Sequence, residues 1–217
     1  DDDFGIITWN IGFGAYTPDF YYRDDGGDMT RAASENAVYE NMDHILAVLD
    51  EHEPDFVFLQ EIDEKAKRTY KINKNEYIQN QLGDYSSIVS INYNSPYYIY
   101  PFNSPLGKTK CGIMTLSDTH IESTLRRSLP VDETFLRTMD VDRSYTVSRV
   151  PLDNGKTLCL YNTQLSDSTY GDEVFVLQMQ MLMEDMQSEY ENGNYVICGG
   201  EFSRDLIGNS HAIFHVD

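Results

Sequence analysis

The sequence is short of cysteine, of cations and of long apolar runs, and each shortage removes a class of protein. Its three cysteines, Cys111, Cys159 and Cys198, are odd in number and widely spaced. Each lies beside strand-like apolar residues, so they read as small buried hydrophobes and exclude a disulfide framework or a zinc site. Apolar runs such as Phe56 to Leu59 and Val174 to Leu177 are four residues long, whereas a membrane-spanning helix needs about 20. Lys and Arg together number 16 against 36 Asp and Glu, a formal net charge of −20. A field of that sign repels phosphate backbones, which excludes sequence-blind binding of nucleic acid through a basic surface. A phosphate-bearing partner needs a local basic spot or a bound cation. The chain opens Asp1-Asp2-Asp3, with neither the basic start nor the apolar stretch of a signal peptide. Together with the unpaired cysteines, that favours a cytoplasmic setting.

What is present suits one domain over residues 1–217. Apolar residues make up 41% and aromatic residues 12%, enough for a core and too many for a disordered chain. Gly5 to Asn10 reads as a strand running into a glycine turn, followed by an aperiodic Gly/Asp/Tyr-rich stretch from Tyr16 to Ala33. A helix is expected from Ser34 to His52, where Val38, Met42, Ile45 and Leu49 recur at steps of 4, 3 and 4, with Ser34 as N-cap and Pro54 as stop. Asp55 to Gln60 is a continuous apolar strand of the kind buried on both faces, with Glu61 at its end. A short polar helix near Asn75 to Leu82 precedes a strand at Ser86 to Tyr93, and Asn94 to Lys110 reads as an ordered Pro/Tyr loop.

Strands are then expected at Gly112 to Leu116, Ile121 to Leu129, Ser144 to Val150 and Thr157 to Thr163, the last two joined by an Asn154-Gly155 hairpin turn. A second helix, Asp172 to Tyr190, carries Val176, Met179, Met183, Met186 and Tyr190 along one side, which reads as its core face. A short strand from Tyr195 to Cys198 leads into Gly199-Gly200-Glu201-Phe202-Ser203. So few helices cannot cover a doubly wound parallel sheet; two sheets face to face with helices outside fit the count.

Polar residues stand at the ends of four expected strands: Asn10, Glu61, Asn162 with Gln164, and Glu201 with Ser203. Strand ends gathered on one rim converge on a site whose geometry the sheets hold rigid. Each residue also has a plainer reading, as a turn former or a helix start.

Five segments, in order, carry a resemblance: Thr8-Trp9-Asn10-Ile11-Gly12, Phe58-Leu59-Gln60-Glu61-Ile62, Gly112-Ile113-Met114-Thr115-Leu116-Ser117, Tyr161-Asn162-Thr163-Gln164-Leu165-Ser166 and Cys198-Gly199-Gly200-Glu201-Phe202-Ser203. The set resembles the endonuclease/exonuclease/phosphatase superfamily of deoxyribonuclease-like phosphohydrolases. The resemblance implies an α/β protein with a four-layer α/β/β/α sandwich and a Mg²⁺-dependent hydrolase of phosphate esters, with Mn²⁺ as a substitute. It implies Glu61 as the metal-binding carboxylate and Asn10 as its helper. Mg²⁺ is hard, keeps several waters and takes one or two protein carboxylates, so the donors suit it. Asn162 is expected to contact substrate. Lys108 and Lys110, a dense basic spot just before a matched strand, are candidates to flank a phosphate, although solubilising surface cations are the plainer reading. Of the adjacent Arg126 and Arg127, only one can face a site.

The departures matter as much. Where the family has His, Asp and Asn at its catalytic positions, this chain has Gln164, Glu201 and Ser203. One added methylene moves the Glu201 carboxylate, and a shift of about 1 Å can cost about 10²-fold. Losing a pre-aimed donor costs about 10²–10³, and losing a general acid–base group about 10²–10⁴. The family's C-terminal strands, with their Asp-His pair, have no counterpart before Asp217, and His211 and His215 stand too close to the Glu201 motif to replace them. The expectation is therefore a sandwich incomplete at its C-terminus, weak in catalysis and, with a sheet edge unpaired, prone to self-association. A phosphoesterase for a small or lipid-headgroup phosphate rather than duplex DNA leads the readings. A non-catalytic binding module, or a fragment of a longer active hydrolase, is the alternative.

Overall fold

In chain order, the strands are β1 (Ile6–Asn10), β2 (Phe56–Asp63), β3 (Ser86–Asn94), β4 (Lys110–Ser117), β5 (Ser123–Ser128), β6 (Ser144–Pro151), β7 (Thr157–Gln164) and β8 (Tyr195–Glu201). The helices are α1 (Glu35–His52), α2 (Lys74–Gln81) and α3 (Asp172–Glu191). The computed structural model describes residues 3–23, 26–95, 102, 105, 107–131, 142–166, 171–208 and 212–213. Most of the expected Pro/Tyr loop, together with His211 and His215, lies outside the described residues.

The strands form two four-stranded sheets, ordered β1-β2-β4-β3 and β5-β6-β7-β8. Each sheet has one parallel pair, β1 with β2 and β7 with β8; the other pairings are antiparallel. A parallel pair needs a crossover, and α1 and α3 supply the two. Each sheet therefore contains one β-α-β unit. α1 lays Val38, Met42, Ile45 and Leu49 against Val57, Leu59, Met114 and Leu116 on the outer face of the first sheet. α3 covers the outer face of the second, where Leu182 joins Tyr145, Val147 and Tyr161. The result is the expected four-layer α/β/β/α sandwich.

The layer between the sheets changes character along its length. At one end it is apolar, with Phe56, Phe58, Val150, Leu158 and Leu160. Toward the other end the buried residues are Gln60, Asn92, Thr115, Thr146, Asn162 and Gln164. Parallel pairing fixes which end that is: the C-terminal ends of β1 and β2, and those of β7 and β8, share the polar rim. Arg126 reaches across this layer to donate to the Ile91 carbonyl of the opposite sheet, while Arg127 turns outward to Asp185 of α3.

Local signals explain the elements. Ser34 caps α1 by accepting from the Ala37 N–H at 3.0 Å. β2 runs three residues past the expected end because a bulge between Leu59 and Ile62 lets it keep pairing with β4. α3 requires a correction: Val176, Met183 and Tyr190 are exposed, and the packed side is Phe175, Gln178, Met179, Leu182 and Met186. The period was as expected but the phase was not, because Gln178 is a buried polar residue. Its amide accepts from the Ser166 N–H at 2.9 Å and donates to the Pro130 carbonyl at 2.7 Å. The stretch after β1 is also better packed than an aperiodic loop suggests. Phe13, Phe20 and Tyr22 are buried and pack together, Phe20 stacked on Tyr22 and Phe13 edge-on to both, with the Arg68 guanidinium 3.7 Å over Phe13.

Candidate active site

Asn10, Glu61, Gln164 and Glu201 end β1, β2, β7 and β8 or stand within two residues of their ends, and they meet at the polar rim. The Asn10 amide donates to Glu201 Oε2 at 2.6 Å, while its carbonyl accepts from the Gly12 N–H at 2.9 Å. The Gln164 amide donates both to Glu61 Oε1, at 3.2 Å, and to Glu201 Oε2, at 2.7 Å. The Ser203 hydroxyl donates to Glu201 Oε1 at 3.2 Å. Two carboxylates from opposite sheets are thus held together by amide and hydroxyl donors.

Backbone geometry aims these groups. Glu61 sits in the β2 bulge at φ 61°, a conformation non-glycine residues rarely adopt and one that recurs at functional sites. Gly200, at φ 135°, brings the chain so close to β7 that an added Cβ would lie 2.0 Å from the Thr163 carbonyl oxygen. Only glycine fits there, and it sets Glu201 at the rim. Burial raises the pKa of Glu61 above the usual carboxylate range, and the charge of Glu201 adds to this. Arg68, the Asn10 amide and Arg143 oppose it.

Not every expected site residue joins this cluster. Asn162 is fully buried between the sheets. Its carbonyl accepts from Gln60 at 2.9 Å and its amide donates to the Met114 carbonyl at 2.9 Å, so it clasps the sheets together. Lys110 points its ammonium at Glu64, 2.6 Å away. Lys108 is exposed, and its carbonyl accepts from the Lys67 N–H.

A further residue joins the cluster. Asn92, buried on β3, donates to Gln164 Oε1 at 2.8 Å. Its only signal was its place two residues after Ser90, a polar alternation that ordinarily marks a solvent-facing side.

Among the described residues, no group of three or more His, Cys, Asp or Glu side chains is placed to hold a metal ion. The chemistry of the pair present nonetheless suits a hard cation. Two carboxylates share one hydrogen-bond donor and repel each other, and Mg²⁺ needs only one or two such ligands. A cleft of about 530 Å³ opens beside them, bordered by Asn10, Glu61, Glu201, Trp9, Tyr16 and Val48. No helix among the described residues is long and apolar enough to cross a membrane.

The model of the Endonuclease/Exonuclease/phosphatase family matches residues 7–200. No curated protein matches the chain in sequence. Among solved structures, an endonuclease/exonuclease/phosphatase family protein from Leptotrichia buccalis is 18% identical, with a TM-score of 0.64 over 99% of this chain and 73% of that one. The human Nocturnin catalytic domain with bound sulfate anion is 16% identical, with a TM-score of 0.56 over 78% of this chain. ANGEL2, a 2',3'-cyclic phosphatase, is 14% identical, with a TM-score of 0.64 over 97% of this chain. The chain spans 58% of the Nocturnin domain and 56% of the ANGEL2 chain.

Proposed function

The chain belongs to the Endonuclease/Exonuclease/phosphatase family, and from that premise we propose that it is a Mg²⁺-dependent phosphoesterase of low intrinsic rate. Its substrate is a small or lipid-headgroup phosphate ester, and Mn²⁺ can replace Mg²⁺. The observation that carries this reading is the meeting of Asn10, Glu61, Gln164 and Glu201 at one rim. Glu61, with the Asn10 amide oxygen, holds the cation. A bound cation would supply Lewis acidity toward a phosphoryl oxygen.

Glu201 is placed to accept a proton from an attacking water, with Ser203 and Gln164 fixing its orientation. Both of its oxygens already accept protein hydrogen bonds. Oε2 accepts two of them and Oε1 one, which leaves little of the carboxylate free to receive an attacking water and is the physical ground for slow turnover. The neighbouring cleft of about 530 Å³ accommodates a small organic group beside the carboxylates, and the −20 charge disfavours duplex DNA. The likeness to ANGEL2, a 2',3'-cyclic phosphatase, supports a phosphate ester as the substrate class.

The same saturation of Glu201 favours a second reading, a binding module that keeps the cation and phosphate and does not turn them over. Hydrolysis of bis-p-nitrophenyl phosphate with Mg²⁺ or Mn²⁺ decides between them. Slow metal-dependent turnover lost in Glu61→Gln is expected. Calorimetric cation binding without turnover supports the second reading, and turnover indifferent to Glu61→Gln overturns both.

A further inference from the structure

β3 carries a bulge of its own. Its register against β4 shifts between Ile91, opposite Gly112, and Tyr93, opposite Cys111, so Asn92 is the extra residue. β2 bulges against the same glycine, since Ile62 also pairs with Gly112. Gly112 admits the close approach of β3: an added Cβ would lie 2.4 Å from the Ser90 carbonyl oxygen. One glycine on β4 therefore stands beside both distortions, one aiming Glu61 at the rim and the other turning Asn92 inward.

The hydrogen bonds reaching Asn92 admit only one orientation. Gln164 presents Nε2 to both carboxylates, donating to Glu61 Oε1 and to Glu201 Oε2. Its Oε1 must then face away, toward Asn92, which must present Nδ2, at 2.8 Å. Asn92 Oδ1 is left buried with no partner among the described residues. An unpartnered buried oxygen is costly, and the bond to Gln164 Oε1 is what holds the Asn92 amide in this orientation.

We propose that Asn92 is a positioning residue of the site, locking the Gln164 amide so that its N–H groups, and not its oxygen, face the two carboxylates. This rests on the proposed function for its catalytic consequence, but not for its structural content. Without the Asn92 donor the Gln164 amide is free to turn, and an oxygen against two carboxylates drives them apart. Asn92→Asp sets an acceptor against the Gln164 oxygen and drives the turn. Asn92→Ser removes the donor without adding charge, and serves if the aspartate variant does not fold.

The test is made on the cation-free protein by NMR, with the Gln164 side-chain amide signals assigned by their loss in Gln164→Leu. In the parent, these protons are expected to be shifted downfield and protected. In folded Asn92→Asp and Asn92→Ser they are expected to exchange with water about tenfold faster, the loss of one buried hydrogen bond, and to lose the downfield shift. A role in packing alone would lower the melting temperature and leave these signals in place, which would overturn the proposal. Altered signals in a protein without hydrolytic activity would sink the proposed function while leaving the amide lock standing.

Discussion

Asn10 and Glu201 lie 191 positions apart in the chain and are joined by a 2.6 Å hydrogen bond. One ends the first strand and the other the last, and each belongs to a different sheet. The bond closes the sandwich at its polar rim and brings the second carboxylate beside the first. A site assembled in this way depends on two β-α-β units folding onto each other, so its chemistry and its stability are open to separate measurement.

The first expectation concerns Glu61. Burial raises its pKa, with Glu201 adding to the effect, so its ionised form opposes folding. For an acid with a raised folded pKa, stability falls as pH climbs from the ordinary value of 4.5 through the folded one. Glu61→Gln should therefore raise the urea midpoint at neutral pH while abolishing divalent-cation binding in calorimetry. A variant both less stable and still cation-binding would contradict this.

Lys74 sits fully buried beneath the turn that follows β1, and its ammonium has no hydrogen-bond partner among the described residues. Burial lowers its pKa from 10.5 to about 8, with Asp63 opposing and Arg68 adding to the fall. Between those values the unfolded chain binds more protons than the folded one, so stability should rise with pH across pH 8 to 10.5. The gain should be about 3 kcal/mol. Lys74→Met should abolish that rise and stabilise the protein by about 1–3 kcal/mol at pH 7. Denaturant melts at pH 7, 8.5 and 10 check both parts.

Asp63 predicts the opposite response to acid. It is buried, with Arg68 donating to its two oxygens at 2.9 and 3.0 Å and Thr69 at 2.8 Å. Burial raises its pKa, but Arg68 and Lys74 outweigh that and hold it below the ordinary 3.8. The stability it supplies is complete above that ordinary value and is lost as pH falls through the folded one. Asp63→Asn should cost about 3–5 kcal/mol at neutral pH, because it strands Arg68, and should flatten the acid limb of the stability profile.

Gly112→Ala should be damaging out of proportion to one methyl group. Its Cβ would meet the Ser90 carbonyl oxygen at 2.4 Å, and overpacking of this kind costs about 1–3 kcal/mol. Amide spectra should show shifts at Glu61 and Asn92 on the two flanking strands. Unchanged signals at either would count against a shared dependence on this glycine.

Restoring the family's residues with Gln164→His, Glu201→Asp and Ser203→Asn should raise metal-dependent turnover by about 10²-fold or more. The steady-state rate on bis-p-nitrophenyl phosphate measures it. No gain in a folded triple variant would place the limit elsewhere than at these three positions.

The sequence told much about the fold because its signals were local. Ser34 before a 4-3-4 apolar stripe and the run Phe56 to Leu59 each have one physical interpretation, and α1 and β2 form where they stand. The rim residues Asn10, Glu61, Gln164 and Glu201 were legible for the same reason, each ending a strand. The burial of Asn162, Asn92 and Gln178 was not. All three are polar and buried, bonded to partners 12 to 103 residues away in the chain. Periodicity sees a polar residue and assigns it to water. It cannot see that two polar strand faces close on each other.

The change of character along the layer between the sheets gives the two ends of the sandwich different sensitivities. The aromatic and leucine end is gripped by exclusion of solvent, which slackens on cooling. The amide and hydroxyl end is gripped by directional bonds that water competes for whenever it enters. Chilling therefore loosens the molecule first at the end remote from the carboxylates, and hydration loosens it first beside them.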